Sequence, residues 1–510
     1  MKHRWTVGGT LLLMAAMSLG VAATRQQPSA DAAAKRHRFN QDTVIQLAQR
    51  LATQPPRAPA KLDNASALRQ VTYDQYRDIR VNPSSALWYG EQVPMRVELL
   101  PSGFMFNMPI GVSMVENGWT RDVATRPDSF VLGPSVAKQL QDLTIPPSGF
   151  RVRAHINSRS VWDEFLVFQG ASYFRAVSKG TLYGLSARGL ALKTADPTGE
   201  EFPAFTHFWI ERPSANAIGI VIHALLESTS TTGAYRFSVL PGVETVMNVE
   251  LTLFPRVALE KVGIAPLTSM FLFDESNRVR IDDFRSEVHD SDGLQIVLAS
   301  GEQVWRPLAN PTQLQVSSFT SAAPRGFGLV QRSRRTADYQ DLEAQYERRP
   351  SAWIEPIGDW GAGAVELVEI PSDRETNDNI IAFWQPKDVI PAGKPWHAAY
   401  RIRWSTLPRS AAELGQVVAT RSGPSFDGKR RLFTIDFDGP GTNAAGLRID
   451  MNASAGKVDN LNLQSNGITR GQRASFELTP GDASTVELRL RLLRDDRPVT
   501  ETWLYRWTAS

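Results

Sequence analysis

From Asn40 onward, Val44, Leu47, Ala48 and Leu51 recur at the i, i+3, i+4, i+7 spacing that lays an apolar stripe along one helical face, with Asn40 a candidate N-cap. Past that helix the period drops to two. Val249, Leu251 and Leu253 alternate with Asn248, Glu250 and Thr252, and Val486, Leu488, Leu490 and Leu492 alternate with Glu487, Arg489 and Arg491. Such alternation seats one face of a strand on a core and leaves the other in water, as antiparallel sheets require. With 36 Gly and 32 Pro punctuating short segments, the pattern predicts an all-β protein built of sandwiches.

Two stretches break the pattern. The chain opens on a positive segment, MKHR at 1–4, followed from Thr6 by an apolar run that ends on the small residues Val21, Ala22 and Ala23. This predicts a cleaved secretory signal peptide over 1–23. Gly8, Gly9, Thr10 and Ser18 interrupt the run, which falls short of the ~20 apolar residues a stable membrane span prefers. No Arg-Arg pair precedes it, which favours general export over the twin-arginine route. Residues 24–38 are polar and Ala-rich and predict a disordered leader. No later segment approaches spanning length, so the processed chain is expected to be soluble outside the inner membrane, without a membrane span.

The second break marks a domain seam, since 510 residues exceed what one core supports. A strand-like YRIRW at 400–404 gives way to 405–415, which loses alternation and carries Pro408, before new strands such as LFTIDF at 432–437. The expected organisation is a large β-sandwich over 39–404, a linker over 405–415, and a small immunoglobulin-like sandwich over 416–510 with a structural or interaction role. No internal repeat is apparent.

Composition narrows the chemistry. With 56 Lys plus Arg against 53 Asp plus Glu, the net charge is +3. That balance offers no basic stripe for a phosphate backbone, and no nucleic-acid partner is expected. The absence of cysteine removes disulfides, thiolate nucleophiles and Cys-ligated metals together. GxSxG, HExxH and Walker loops are also missing. No metal or cofactor is implied, and a two-carboxylate plan of the glycosidase kind is what remains.

Two acidic motifs could supply it. Asp282, Asp283, Glu287, Asp290 and Asp292 crowd into one short stretch. Carboxylates so close cannot all ionise freely without a counter-charge, so one or more is expected to have a shifted pKa, with Arg285 or His289 the compensating partner. The alternatives are a solvated acidic loop or a calcium loop. The calcium reading fails because Val288 and Ala299 stand where ligands are needed. The second motif, ETNDN at 375–379, places Asp378 at the mouth of the apolar strand IIAFW, where desolvation would suit a general acid; loop termination is the competing reading. Around and between the two lies a stretch rich in aromatics and arginine, including Trp305, Arg306, Tyr346, Trp353 and Trp360. These are candidate sugar-binding residues, because aromatic faces stack on pyranose rings and arginines bind hydroxyls. Core packing competes for the same side chains.

Beyond these readings, the sequence resembles the periplasmic glucan biosynthesis proteins G and D of Gram-negative bacteria, which serve osmoregulated periplasmic glucan production. The strings that carry the likeness run from about Phe39 through Trp404 and more weakly through the tail. They include YDQYRDIR at 73–80, GASYFR at 170–175, YGLSARGLA at 183–191, GEEFP at 199–203, APLTSMFLF at 265–273, EVHDSDGL at 287–294, RRPSAWIEP at 348–356 and ETNDNI at 375–380. The resemblance implies a large sandwich with a long cleft beside an immunoglobulin-like one. It implies a periplasmic enzyme acting on β-1,2-glucan as an anomer-inverting glycoside hydrolase, or as a transglycosylase that can close the glucan into a ring.

Matched by motif, Asp378 corresponds to the general acid, Asp290 to the general base and Tyr346 to a cleft tyrosine contacting sugar. An inverting pair leaves room for a water, about 6.5 to 9.5 Å between carboxyls, and the resemblance implies proton transfers that pass through water or a substrate hydroxyl. On this assignment Asp378 needs an apolar or anionic surrounding to stay protonated and Asp290 needs hydrogen-bond donors to stay ionised. The implied partners are linear β-1,2-glucan, the inner-membrane glucan synthase and a second copy in a homodimer. A non-catalytic glucan-binding protein is the competing function. Ser286, Lys193 and Thr336 depart from residues usual in the family without touching the proposed pair, and the motifs do not separate the G from the D branch.

Overall fold

The computed structural model describes residues 37–278, 281–406 and 413–509. The expected signal peptide, most of the leader and the middle of the expected linker lie outside the described residues. The fold is all-β. His37 and Arg38, expected to close the leader, instead form a short edge strand paired with Thr120 and Trp119. The expected helix spans Asp42–Ala52 and buries Val44 and Ala48 against Trp209, Leu225 and Phe254. It starts one residue later than an Asn40 cap implies, because the Asn40 amide oxygen accepts from the Thr43 hydroxyl at 2.8 Å.

Two large sheets, of 16 and 10 strands in the described residues, face each other across one core. The smaller carries Val262–Ser269, Ser186–Arg188, Tyr173–Ala176, Asp163–Gln169 and Pro147–Ala154 side by side. Its inward positions hold Phe150, Phe168, Phe174 and Ala187, and the phenyl rings interlock with Phe208 and Phe237 of the larger sheet at centroid distances of 5.0 Å (Phe150 to Phe208) and 5.1 Å (Phe168 to Phe237). Each such pair contributes about 1 kcal/mol beyond its area burial. Because side chains alternate, committing Phe174 and Ala187 to the core turns Tyr173, Arg175, Ser186 and Arg188 outward onto one polar face.

In the C-terminal part, Gln416–Pro424, Arg431–Asp438, Gly471–Thr479 and Lys457–Asn466 form a four-stranded sheet. It packs on Thr485–Arg494, whose Val486, Leu488, Leu490 and Leu492 are buried as the alternation predicts. Those last strands also extend the large sheet, through parallel pairing of Val304 with Thr502 and Trp305 with Trp503. Trp305 and Val330, from the large part, belong to the small core. The last strands of the C-terminal part thus continue the large sheet across the expected seam. Among the described residues, no helix is long and apolar enough to cross a membrane.

Candidate active site

The strand Val262–Ser269 is buried along its whole length and kinks at Ala265, which takes a φ of 51° where the pairing with Ile380–Pro386 shifts register. Past the kink, its end becomes a shared support for both acidic motifs. The Asp290 N–H donates to the Met270 carbonyl at 2.9 Å, and the Asn379 N–H donates to the Ser269 carbonyl at 3.0 Å. The Asn379 side chain then locks the neighbouring residue. Its Oδ1 accepts from the Phe271 N–H at 2.9 Å, while Nδ2 donates to the carbonyls of Phe271 at 2.9 Å and Ile370 at 3.0 Å. Segments nearly ninety positions apart are thus bracketed onto three consecutive residues. Arg285 adds a second tie, bonding Asp283 at 2.8 Å, Asp341 at 2.9 Å and Glu375 at 2.7 Å.

The two aspartates meet different surroundings. The Asp290 side chain is 12% exposed, Arg349 Nε lies 3.5 Å from its Oδ1, and that oxygen accepts no hydrogen bond. Burial and the Asp378 charge raise its pKa while the cations Arg349, Arg175 and His289 lower it, and the balance leaves it raised to about 6. The Asp378 charge acting on Asp290 places the two carboxyls in one electrostatic site. Asp378 is 28% exposed, with Ser186 Oγ donating at 3.4 Å and Arg175 Nη2 at 3.5 Å. Ser186 is steadied by a 2.6 Å hydrogen bond shared with Thr268. These surroundings reverse the expected ones. Asp378 has a cation and a hydroxyl where an apolar or anionic setting was predicted, and Asp290 lacks the donors it was predicted to need.

Tyr346 joins the pair. Its phenol is buried, which raises its proton affinity, and the charges of Glu375 and Asp290 raise it further. The Arg349 guanidinium lies 5.3 Å from its ring. Gly184 packs against this loop so closely that a Cβ there would stand 2.9 Å from Arg349 Cβ, so the close approach requires glycine.

Behind Asp290, the fully buried His289 shares hydrogen bonds with Glu287 at 3.2 Å and Gln331 at 3.0 Å. Burial disfavours a charge on this imidazole, but the Glu287 hydrogen bond and the charges of Glu287, Asp292 and Asp274 outweigh it and raise its proton affinity. Gln331 Nε2 donates to the carbonyls of His289 at 3.1 Å and Tyr346 at 3.2 Å, coupling the Asp290 segment to the tyrosine. His289 and Asp292 line a cavity of about 450 Å³ that also contacts Arg332, Arg421, Asp436 and Arg473.

The family model described as periplasmic glucan biosynthesis protein, MdoG, matches residues 39–507. The chain belongs to the periplasmic glucan biosynthesis protein family. Glucans biosynthesis protein G 1 of Shewanella oneidensis is 50% identical over 474 residues, covering 92% of this chain and 87% of its own. Glucans biosynthesis protein G of Shewanella baltica is 49% identical over 477 residues, with the same coverage of 92% and 87%. Among solved structures, the galactose mutarotase related enzyme from Lactobacillus acidophilus aligns at 8% identity over 46% of this chain and 96% of its own, with a TM-score of 0.21, too low to carry weight.

In this member of the family, Asp290, Asp378 and Tyr346 come together, and the other expected sugar-binding residues do not join them. Arg306 is 1% exposed and ion-paired with Glu369 at 3.1 Å. Trp353 is buried across Gly326 and Gly328 of the neighbouring strand, covering backbone that has no side chain of its own. Trp305 sits in the C-terminal core under Arg332, whose guanidinium is 3.5 Å from the ring. Trp360 lines a separate cavity of about 390 Å³ with His397, Arg236 and Glu250, its Nε1 donating to the Ala399 carbonyl at 3.1 Å. For these four, large apolar surface or a buried charge found its partner within the fold. Arg175, Ser186, Arg349, Asn379 and Gln331 were not singled out from the sequence. Arg175 and Ser186 lie in strings that carry the family likeness, and only the register of adjacent strands reveals what they face.

Proposed function

We propose that this chain acts in the periplasm on linear β-1,2-glucan as an anomer-inverting glycoside hydrolase or transglycosylase, with Asp378 as general acid, Asp290 as general base and Tyr346 as a substrate contact. The observation that carries the reading is the bracketing of the Asp290 and Asp378 segments on Ser269, Met270 and Phe271, where the Asp378 charge acts on Asp290. A carboxyl lifted to about 6 is ionised at neutral pH and accepts a proton from water more readily than an ordinary aspartate. Glucan lying over Asp378 would strip its remaining water and exclude solvent from the space between the two carboxyls.

One observation favours a second reading, a glucan-binding protein without turnover. Each acid has an arginine at 3.5 Å, and a permanent ion pair would quench it. Incubation of the purified chain with linear β-1,2-glucan, followed by product size and anomeric configuration, separates the readings. Shorter chains of inverted configuration indicate hydrolysis, a closed ring indicates transfer, and unchanged substrate leaves the binder. Asp378→Asn should abolish turnover while glucan still binds; full activity in that variant would remove the assigned acid.

A further inference from the structure

Next to Asp378, the outward face of the ten-stranded sheet continues into a structured patch that the acid pair does not use. Arg188 follows Ser186 by two positions on the same strand, so its side chain emerges on the same face about 7 Å further on, the scale of one pyranose ring. The Arg188 side chain is 2% exposed, and its Nη1 donates to Glu200 at 2.8 Å. Its guanidinium lies between the rings of Tyr173, 5.2 Å away, and Phe202, 5.1 Å away. Tyr173 is the register partner of Arg188 on the adjacent strand. Burial raises its phenol's proton affinity, with the Asp378 charge among the contributors, so the patch and the acid share one environment.

Phe202 is 54% exposed, yet the two residues that precede it are anchored. Glu200 accepts from Arg188 and, at 2.7 Å, from the Thr194 hydroxyl, while Glu201 accepts from Ser230 N at 2.8 Å and Oγ at 2.6 Å. The segment enters from Gly199 at a φ of 102° and leaves through the buried Pro203. Scattered apolar side chains on a surface need no explanation. A phenyl ring that follows two anchored glutamates, with the immobile Arg188 guanidinium 5.1 Å from it and more than half of the residue open to solvent, is a preorganised platform that loses little entropy on binding.

We infer that Tyr173, Arg188, Glu200 and Phe202 form a sugar-binding subsite for the glucan unit next to the one whose bond is broken, with the pyranose ring stacked on Phe202 and its hydroxyls meeting Glu200 and Tyr173. This subsite rests on the proposed function and adds to it the residues that set how the chain lies across Asp378. It predicts that stacking area at position 202, not charge, governs affinity there.

The test measures calorimetric binding of linear β-1,2-glucan to the full chain, to Asp378→Asn, and to Asp378→Asn carrying Phe202→Ala or Phe202→Trp, with thermal melts alongside. Phe202→Ala should weaken binding about tenfold with an unchanged melt, because the ring is exposed, and Phe202→Trp should restore it. In the Asp378-intact chain, Phe202→Ala should raise KM more than it lowers kcat. Glucan binding equal to the parent's in Phe202→Ala would overturn the subsite and leave the proposed function standing. Failure of the parent and Asp378→Asn alike to bind glucan would overturn both.

Discussion

Asp290 follows the two-residue strand Val288–His289 with most of its side chain out of water and one oxygen lacking any donor, whereas Asp378 stands more than twice as exposed before Ile380–Pro386, touched by Ser186 and Arg175. The same side chain on the same backbone support has been given two regimes. At Asp290 the fold removes water in advance, so its proton affinity is set before any ligand arrives. At Asp378 some water remains, and whatever covers it supplies the last of the desolvation. In the proposed reaction, a pair built this way would keep a strengthened base ready and leave the acid to be completed by the glucan.

The sharpest break of this comparison is replacement of each acid by its amide. Asp290→Asn should lower turnover by about a thousandfold or more. It should also stabilise the chain. Burial lifts the folded Asp290 carboxyl from 3.8 to about 6, so its ionised form costs stability above that range and nothing below the unfolded value. The variant should gain about 3 kcal/mol at pH 7.5 and nothing near pH 3, read from urea unfolding at both pH values. Asp378→Asn should cost as much turnover with under about 0.5 kcal/mol of stability change. Equal stability effects in the two variants would erase the distinction.

The brackets come next. Asn379→Leu strands the Phe271 N–H and the Phe271 and Ile370 carbonyls, and Gln331→Leu strands the His289 and Tyr346 carbonyls. Each should cost about 2–4 kcal/mol in denaturant unfolding. Asn379→Leu should impair the acid and Gln331→Leu the base, so their pH–rate profiles should be deformed on opposite limbs. Matching deformations would mean that the brackets hold the fold and not the individual acids.

The smallest effect concerns the cations. Arg349 and then Arg175 lower the proton affinity of Asp290, so removing either raises it. The acid limb of kcat/KM, expected near pH 6, should move to higher pH by about half a unit to one unit in Arg349→Met and by less in Arg175→Met. A limb unmoved in both variants would mean that Asp290 does not carry it.

Much of this was readable in the chain. Alternation at 486–492 reported buried strand faces because burial on one face of a pleated strand imposes a period of two. Crowded acids at 282–292 announced a divided titration, and the structure divides it, with Asp283 held below the usual carboxylate range by its Arg285 hydrogen bond while burial raises Asp290 and Asp292. Aromatic count misled, since Trp305, Trp353 and Trp360 are as useful to a sandwich as to a sugar and composition cannot distinguish the two. Arg306 misled for a related reason, because its partner Glu369 lies 63 positions away and enters only through packing.

Local pattern and motif by themselves determined the β architecture and the family and singled out the two candidate acids, because side-chain alternation and contiguous strings are properties of neighbours along the chain. Only the tertiary structure decided that Asp290 is the desolvated acid and Asp378 the one beside Arg175, and which aromatics face outward. Proton affinity depends on burial and on charges brought in from remote segments, and here those segments meet through backbone hydrogen bonds to Ser269, Met270 and Phe271.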